Sequence, residues 1–101
     1  MEINKLTLDS WIWAIVQNPE NNESFLGQED PENNLRFIPA FYSKEASLMC
    51  INLFKKDESM KFESQAVLYE DLINYTKEHN FLIFFLDEKG KILDQIDPNT
   101  V

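Results

Sequence analysis

Cys50 and His79 are the side chains best suited to nucleophilic or acid–base chemistry, and each is the only residue of its type. Catalysis by a cysteine requires a thiolate with a base beside it. Cys50, however, falls on the apolar stripe of a predicted helix and has no charged helper in the sequence. Any arrangement of serine, histidine and acid must use His79. At the end of a predicted helix, the ordinary role of a histidine is a favourable contact with the helix dipole. We therefore expect that the protein is not an enzyme.

Metal and cofactor sites lack their usual residues. A zinc site needs several Cys or His ligands, and one of each is not enough. The acidic clusters Glu29 to Glu32 and Asp94 to Asp97 lack the alternating ligand spacing and the glycine of a calcium loop. Gly27 and Gly90 are too far apart to form a glycine-rich phosphate loop. We expect no metal, no cofactor and no catalytic residue.

The charge of the chain indicates the kind of partner. Its 101 residues include 18 acidic and 9 basic side chains, which gives a net charge of −9 at pH 7. Because binding to a phosphate backbone requires positive charge, nucleic acid and anionic membranes are not expected partners. A basic protein surface is complementary in charge. Arg36, the sole arginine, could clamp a carboxylate, although an arginine that begins a strand more often pairs with a nearby glutamate at the surface.

Two kinds of side chain are the candidates for protein binding. Aromatic residues recur as interface anchors, and acidic residues on the segment from Asn18 to Asn34 would contact a basic partner. The predicted protein-binding residues are Glu20, Glu23, Phe25, Glu29, Asp30, Glu32 and Tyr42.

The elements that position these residues follow from apolar patterning and turn formers. Helices are predicted from Ser43 to about Lys55-Lys56 and from Glu70 to His79. Strands are predicted at 11–17, 24–28, 35–41, 62–68, 81–86 and 91–96. The fold class is therefore α+β, with a single twisted, mixed and mainly antiparallel sheet of about five to six strands. Its order is β-β-β-α-β-α-β-β, and the two helices lie mainly on one face.

Particular residues set the details of these elements. Ser43 is the expected N-cap of the first helix, and Asn80 can close the second in a left-handed conformation. The first helix should bury Ala46, Met49, Cys50 and Leu53, which recur at helical spacing. Pro39 should lie near a sheet edge or at a bulge, since proline cannot donate to a ladder.

The length predicts one domain over residues 1–101. With one cysteine no internal disulfide can form, and the N-terminus MEINKLTLDS lacks the apolar core of a signal peptide. No stretch reaches the roughly 18 apolar residues of a membrane span. A cytoplasmic location is expected.

Three short segments resemble one known group of domains. They are IPAF (38–41) with SKEA (43–46), DLI (71–73) within QAVLYEDLINY, and FLIFFLDEKGKIL (81–93). Together they resemble the SseB N-terminal-like group of small bacterial domains, which shows a strand ending in a similar proline pattern, a helix opening on serine and a closing hairpin. The resemblance implies a bacterial, non-enzymatic domain, some of whose relatives are linked to secretion. It carries over no catalytic residue.

Three functions compete at this stage. The first is a protein-interaction or regulatory domain that binds a protein partner or associates with itself through the aromatic strands. The alternative is an acidic immunity or inhibitor protein that neutralises a basic toxin, with the acids from Glu20 to Glu32 as its contact. A small hydrolytic enzyme comes third, because it would need His79 or a carboxylate pair in a concave pocket.

Overall fold

The computed structural model describes residues 6–18, 24–54, 57 and 59–101. Seven strands and two helices follow one another there, with 3-10 turns at Ile51–Leu53 and Pro98–Thr100. The elements are β1 (Trp11–Gln17), β2 (Ser24–Phe25), β3 (Gln28–Asp30), β4 (Leu35–Phe41), α1 (Lys44–Cys50), β5 (Phe62–Leu68), α2 (Tyr69–His79), β6 (Leu82–Leu86) and β7 (Ile92–Ile96). The predicted α+β class is confirmed. The strand predicted at 24–28 is two short strands, because the chain leaves the sheet between Phe25 and Gln28.

The sheet is open and mixed, and β1 lies inside it. On one side β1 pairs antiparallel with β5 along seven residues, from Trp11 opposite Leu68 to Gln17 opposite Phe62. On its other side it pairs with β4 and then with β2. β4 pairs parallel with β6, and β6 pairs antiparallel with β7. Parallel pairing is thus confined to β4 and β6, as a mainly antiparallel sheet requires.

β2 and β3 fill a wedge between β1 and β4, which pair only at Trp13–Phe41 and Ala14–Ala40. Continuing that register would place Pro39 opposite Ile15. The carbonyl oxygen of Ile15 instead accepts from the N–H of Leu26 at 2.8 Å. Pro39 therefore lies on an interior strand, at the point where the ladder between β1 and β4 is interrupted. Of its two expected placements, near a sheet edge or at a bulge, the sheet edge is wrong.

Two apolar clusters cover the two faces of the sheet. Side chains of α2 pack on Ile12, Ile38, Ala40, Ile83 and Phe85. Side chains of α1 pack on the alternate strand residues, which point the other way. The longer helix, α2, thus covers one face, and α1 lies on the other, whereas both helices were expected mainly on one face. Among the described helical elements, the seven residues of α1 and the 3-10 turn after it cover this second face.

Helix α1 begins as predicted and packs differently. The hydroxyl of Ser43 accepts a 3.2 Å hydrogen bond from the N–H of Ala46, which confirms the N-cap. The helix buries the small residues Ala46, Ser47 and Cys50. Met49 and Leu53 are 62% and 61% exposed, so their predicted burial is wrong. The α-helix ends at Cys50, before the predicted end near Lys55-Lys56, and those two lysines lie outside the described residues.

Close packing explains this orientation of α1. The hydroxyls of Ser47 and Ser64 are in direct hydrogen-bonding contact, and the thiol of Cys50 donates to the carbonyl of Asp87 at 3.2 Å. Only small side chains fit between a helix and a sheet at this approach. The large side chains of α1 are therefore turned to solvent.

Helix α2 agrees with its prediction. Leu72, Ile73 and Thr76 are buried, and Asn80 ends the helix at φ 62° and ψ 48°. The N–H of Asn80 bonds to the carbonyl of Thr76, which closes the last turn. Among the helices in the described part of the chain, none has the length and apolar character needed to cross a bilayer.

Candidate functional site

An open groove of about 290 Å³ lies on the face covered by α1. Acidic and turn residues, Glu29, Asp30, Pro31 and Gly90, border it. Its apolar lining consists of Phe37, Phe54, Phe84, Leu86 and Ile92. The rings of Phe37 and Phe84 are stacked face to face with centroids 4.3 Å apart, and Phe84 is almost fully buried at the bottom of the groove. An apolar surface bordered by carboxylates suits a ligand that is itself apolar and basic.

The turn between β6 and β7 forms one wall of the groove. A carboxylate oxygen of Asp87 accepts from the N–H groups of Lys89 and Lys91 at 2.8 and 2.9 Å. These two bonds, that from Lys91 being the stronger influence, lower the pKa of the Asp87 carboxyl. Gly90 has φ 83°, a left-handed conformation that favours glycine. The turn lies beside the 3-10 turn that follows α1, since a β-carbon at Gly90 would lie 3.4 Å from the side chain of Leu53.

The exposed apolar side of α1 continues from the groove. Leu53 lies next in the chain to Phe54, which lines the groove, and it approaches Gly90 at the rim. Leu48 and Met49 extend this surface along the helix. We call the groove, together with the exposed side chains of Leu48 and Met49 on α1 and of Leu53 on the 3-10 turn after it, the α1 face.

Cys50 and His79 are far from a catalytic arrangement. Cys50 is buried, and burial raises the pKa of its thiol, which favours the unreactive protonated form. His79 is exposed on α2, where its Nδ1 lies 2.9 Å from the carbonyl oxygen of Tyr75 and its ring stacks on that tyrosine. α1 and α2 cover different faces of the sheet, so these two side chains share no pocket.

The acidic candidates are divided by the structure. Glu29 and Asp30 are brought to the groove by β3. Asp30 also accepts from the backbone N–H of Glu32 and from the side chain of Asn33. Glu32 is exposed in the turn that follows. Glu20 and Glu23 lie outside the described residues.

The two aromatic candidates lie on the other face. Phe25 packs edge-to-face on Tyr75, with ring centroids 4.9 Å apart. Tyr42 stacks on Phe85 at 4.3 Å, and its hydroxyl donates to Asp94 at 2.8 Å. Burial and the carboxylate of Asp94 raise the pKa of the Tyr42 hydroxyl. Both rings are half-buried against the cluster under α2, apart from Glu29 and Asp30.

Arg36 borders a second hollow, of about 400 Å³, with Gly27, Gln28 and Phe81. Its guanidinium lies 4.3 Å from the centroid of the Phe81 ring, a cation–π contact. Glu29 is the cross-strand partner of Arg36 and also lines this hollow. A bound carboxylate would be attracted by Arg36 but repelled by Glu29, so the hollow is a poor site for an anion.

Sequence reasoning missed the apolar part of the groove. Phe37, Phe84 and Leu86 were assigned to strands, with no indication that they line a groove. A signal was available: strands that are apolar on both faces need cover on both, and α1 is too short to cover all of one.

The fold and its groove define a small α+β domain with an acidic-rimmed apolar surface on one face of an open sheet. Within the described ranges, no group of three or more His, Cys, Asp or Glu side chains is placed to hold a metal ion. No protein-family model matches the chain, and no curated protein or solved structure is significantly similar to it.

Proposed function

We propose that this chain is a non-enzymatic protein-interaction domain and that the α1 face binds a partner segment with an apolar anchor beside Lys or Arg. The observation that carries the proposal is the reversed packing of α1. Its small residues are buried, while Leu48 and Met49 on the helix and Leu53 on the 3-10 turn after it are exposed near a groove lined by aromatic rings. Helices in small domains ordinarily bury their large apolar side chains, so exposure of three of them indicates a surface used for binding.

Charge selects the class of partner. Glu29 and Asp30 border the groove, and the whole chain carries a net charge of −9. An acidic partner would be repelled during encounter, whereas a basic one would be attracted and oriented. An apolar side chain of the partner would enter the groove between Phe37, Phe54 and Ile92, and its basic neighbour would lie near the two acids.

Two matched substitutions on β7 test the proposal. Ile92 lines the groove, while its neighbour Leu93, the unpaired residue at the register shift of the β6–β7 ladder, is not among the lining residues. The two side chains are 44% and 50% exposed. The tagged protein would be used to capture partners from its native lysate at low and high salt, and the retained protein would be titrated with each purified variant. We expect Ile92→Glu to weaken binding about tenfold or more and Leu93→Glu to leave it unchanged. Equal loss with both variants, or binding that does not weaken with salt, would contradict the proposal.

The second candidate is an immunity or inhibitor protein that covers the basic active site of a toxin. The exposed acids Glu29 and Glu32 favour it, since they lie together at one end of β3 and its turn. Reconstitution with a captured basic enzyme distinguishes the two: an inhibitor abolishes its activity at equimolar ratio, whereas an adaptor leaves the activity intact. A cytoplasmic location and the relation to SseB N-terminal-like domains stay predictions alongside either function.

A further inference from the structure

The two edges of the sheet are built differently. The ladder of β7 with β6 shifts register between Asp94 and Ile92, which leaves Leu93 unpaired, and β7 also carries Asp94 and is closely followed by Pro98. Bulges, charges and prolines are the devices that protect an edge from pairing with another chain. β5 has none of these except Glu63, and it pairs without interruption along its whole length with β1. Among the described strands, none pairs with the outer side of β5.

The direction of each backbone group on β5 follows from two hydrogen bonds at its ends. The N–H of Asn18 donates to the carbonyl of Lys61, and the N–H of Tyr69 donates to the carbonyl of Ser10, both at 2.9 Å. In an antiparallel ladder, hydrogen-bonded pairs alternate with pairs that are not bonded. Odd-numbered residues of β5 therefore bond to β1. The N–H and C=O groups of Ser64, Ala66 and Leu68 point outward from the sheet.

We propose that two copies of this chain pair through β5, antiparallel and about a two-fold axis at Gln65, to form one continuous sheet. In this register the outward groups of Ser64 meet those of Ala66 of the second copy, and the side chain of Phe62 lies beside that of Leu68. The hydrogen-bonding geometry is satisfied without a change of backbone, because all the bonded residues already point outward. The interface is isologous, as a closed dimer requires.

Charge favours a second copy at this edge despite the overall repulsion between two acidic chains. The register places Glu63 opposite Val67, so no two like charges face each other across the new ladder. Ser64, Gln65 and Ala66 at its centre are neutral. A partner strand rich in Lys or Arg would gain little here, since Glu63 is the only charge on β5.

An apolar row supports the same register. Trp11 is 66% exposed at the start of β1 and lies opposite Leu68 on the same face of the sheet. In the dimer, Phe62 of the second copy continues this row beyond Leu68. Because the dimer is symmetric, this row of apolar side chains is present on both sides of the two-fold axis. The groove of the α1 face borders the β7 side of the sheet and stays open in the dimer, whereas α1 itself contacts β5 through Ser47 and Ser64.

Sedimentation velocity of the purified full chain, from micromolar to submillimolar concentration, tests the dimer. We expect a reversible monomer–dimer equilibrium in the wild type. Ala66→Pro removes an outward N–H that has no partner within the described chain, and we expect dimerisation to weaken on the order of tenfold to a hundredfold, because two symmetric bonds are lost. Ala66→Ser retains the N–H and should dimerise as the wild type does.

Far-ultraviolet circular dichroism shows whether Ala66→Pro is folded. If it is not, Ala66→Lys replaces it, since an edge lysine opposes pairing without changing the backbone. A wild type that stays monomeric throughout the concentration range overturns the proposal. A dimer that persists in a folded Ala66→Pro or Ala66→Lys variant also overturns it and places the interface elsewhere.

Discussion

The hydroxyl of Tyr42 donates a 2.8 Å hydrogen bond to the carboxylate of Asp94 and so connects the end of β4 to β7, 52 residues further along the chain. The ring of Tyr42 stacks on Phe85, which lies in β6 between them. The contact crosses three strands of the sheet. A side chain predicted to bind a partner therefore already has two partners within the fold.

Tyr42→Phe is expected to lower the free energy of unfolding by about 1 kcal/mol, because it removes one hydrogen bond and keeps the stacked ring. Tyr42→Ala removes the stacking as well and should cost about 2 kcal/mol or more. Urea denaturation of both variants measures the difference. Equal losses in the two variants would show that the ring contributes nothing.

Gly27→Ala is expected to destabilise the fold, because the new β-carbon would lie 2.9 Å from two atoms of the Phe81 ring. Displacing the ring also breaks the cation–π contact with Arg36, and we expect a loss of about 1–3 kcal/mol. In a Phe81→Leu background the clash is relieved and Gly27→Ala should cost less. Additive losses in the double variant would show that the two positions do not interact.

Helix α1 provides a test of its reversed packing. Ala46→Leu adds volume on the buried side and should cost about 1–3 kcal/mol, whereas Leu53→Lys on the exposed side should change stability by no more than about 0.5 kcal/mol. Thermal and urea denaturation of the two variants give the comparison. The reverse order of effects would mean that the predicted stripe of Ala46, Met49, Cys50 and Leu53 faces the core after all.

The turn at Asp87 predicts a dependence of stability on acid. The pKa of this carboxyl is lowered in the fold by the N–H groups of Lys91 and Lys89, so its stabilising effect is present above the unfolded value of about 3.9. That effect is lost as the pH falls through the lower folded value. Asp87→Asn should therefore have a lower free energy of unfolding at neutral pH. Measured by urea denaturation at a series of pH values, its free energy of unfolding should fall less steeply below about pH 4 than that of the wild type. Glu88→Gln, one residue along the same turn, is the control and should keep the slope of the wild type.

Most elements could be predicted because their signals are local. The strand at Trp11–Gln17 follows from its aromatic and β-branched residues. The start of α1 follows from Ser43, and the end of α2 follows from Asn80. The side of α1 that is buried could not be predicted. Ala46 and Cys50 belong to two overlapping stripes, one completed by Met49 and Leu53 and the other by Ser47. The contact between Ser47 and Ser64, 17 residues apart, decides between them.

The candidate site was predictable only in part. Glu29 and Asp30 follow from the density of acids in their segment, and β3 brings both to the groove. The groove itself combines residues of β3, β4, β6 and β7 with Phe54, and no local pattern brings such distant segments together. Phe25 and Tyr42 were grouped with the acids by composition, but alternation along their strands places them on the opposite face.

The continuous ladder between β1 and β5 also determines how the chain must fold. Its outermost pair, Trp11 with Leu68, joins residues 57 positions apart, and even its nearest pair, Gln17 with Phe62, spans 45. The chain must lose the entropy of closing this long loop before the ladder returns any stabilisation. Folding should therefore be slow for a chain of this length, with the β1–β5 ladder absent until the transition state. A newly synthesised chain would expose the apolar strand β1 until β5 has left the ribosome.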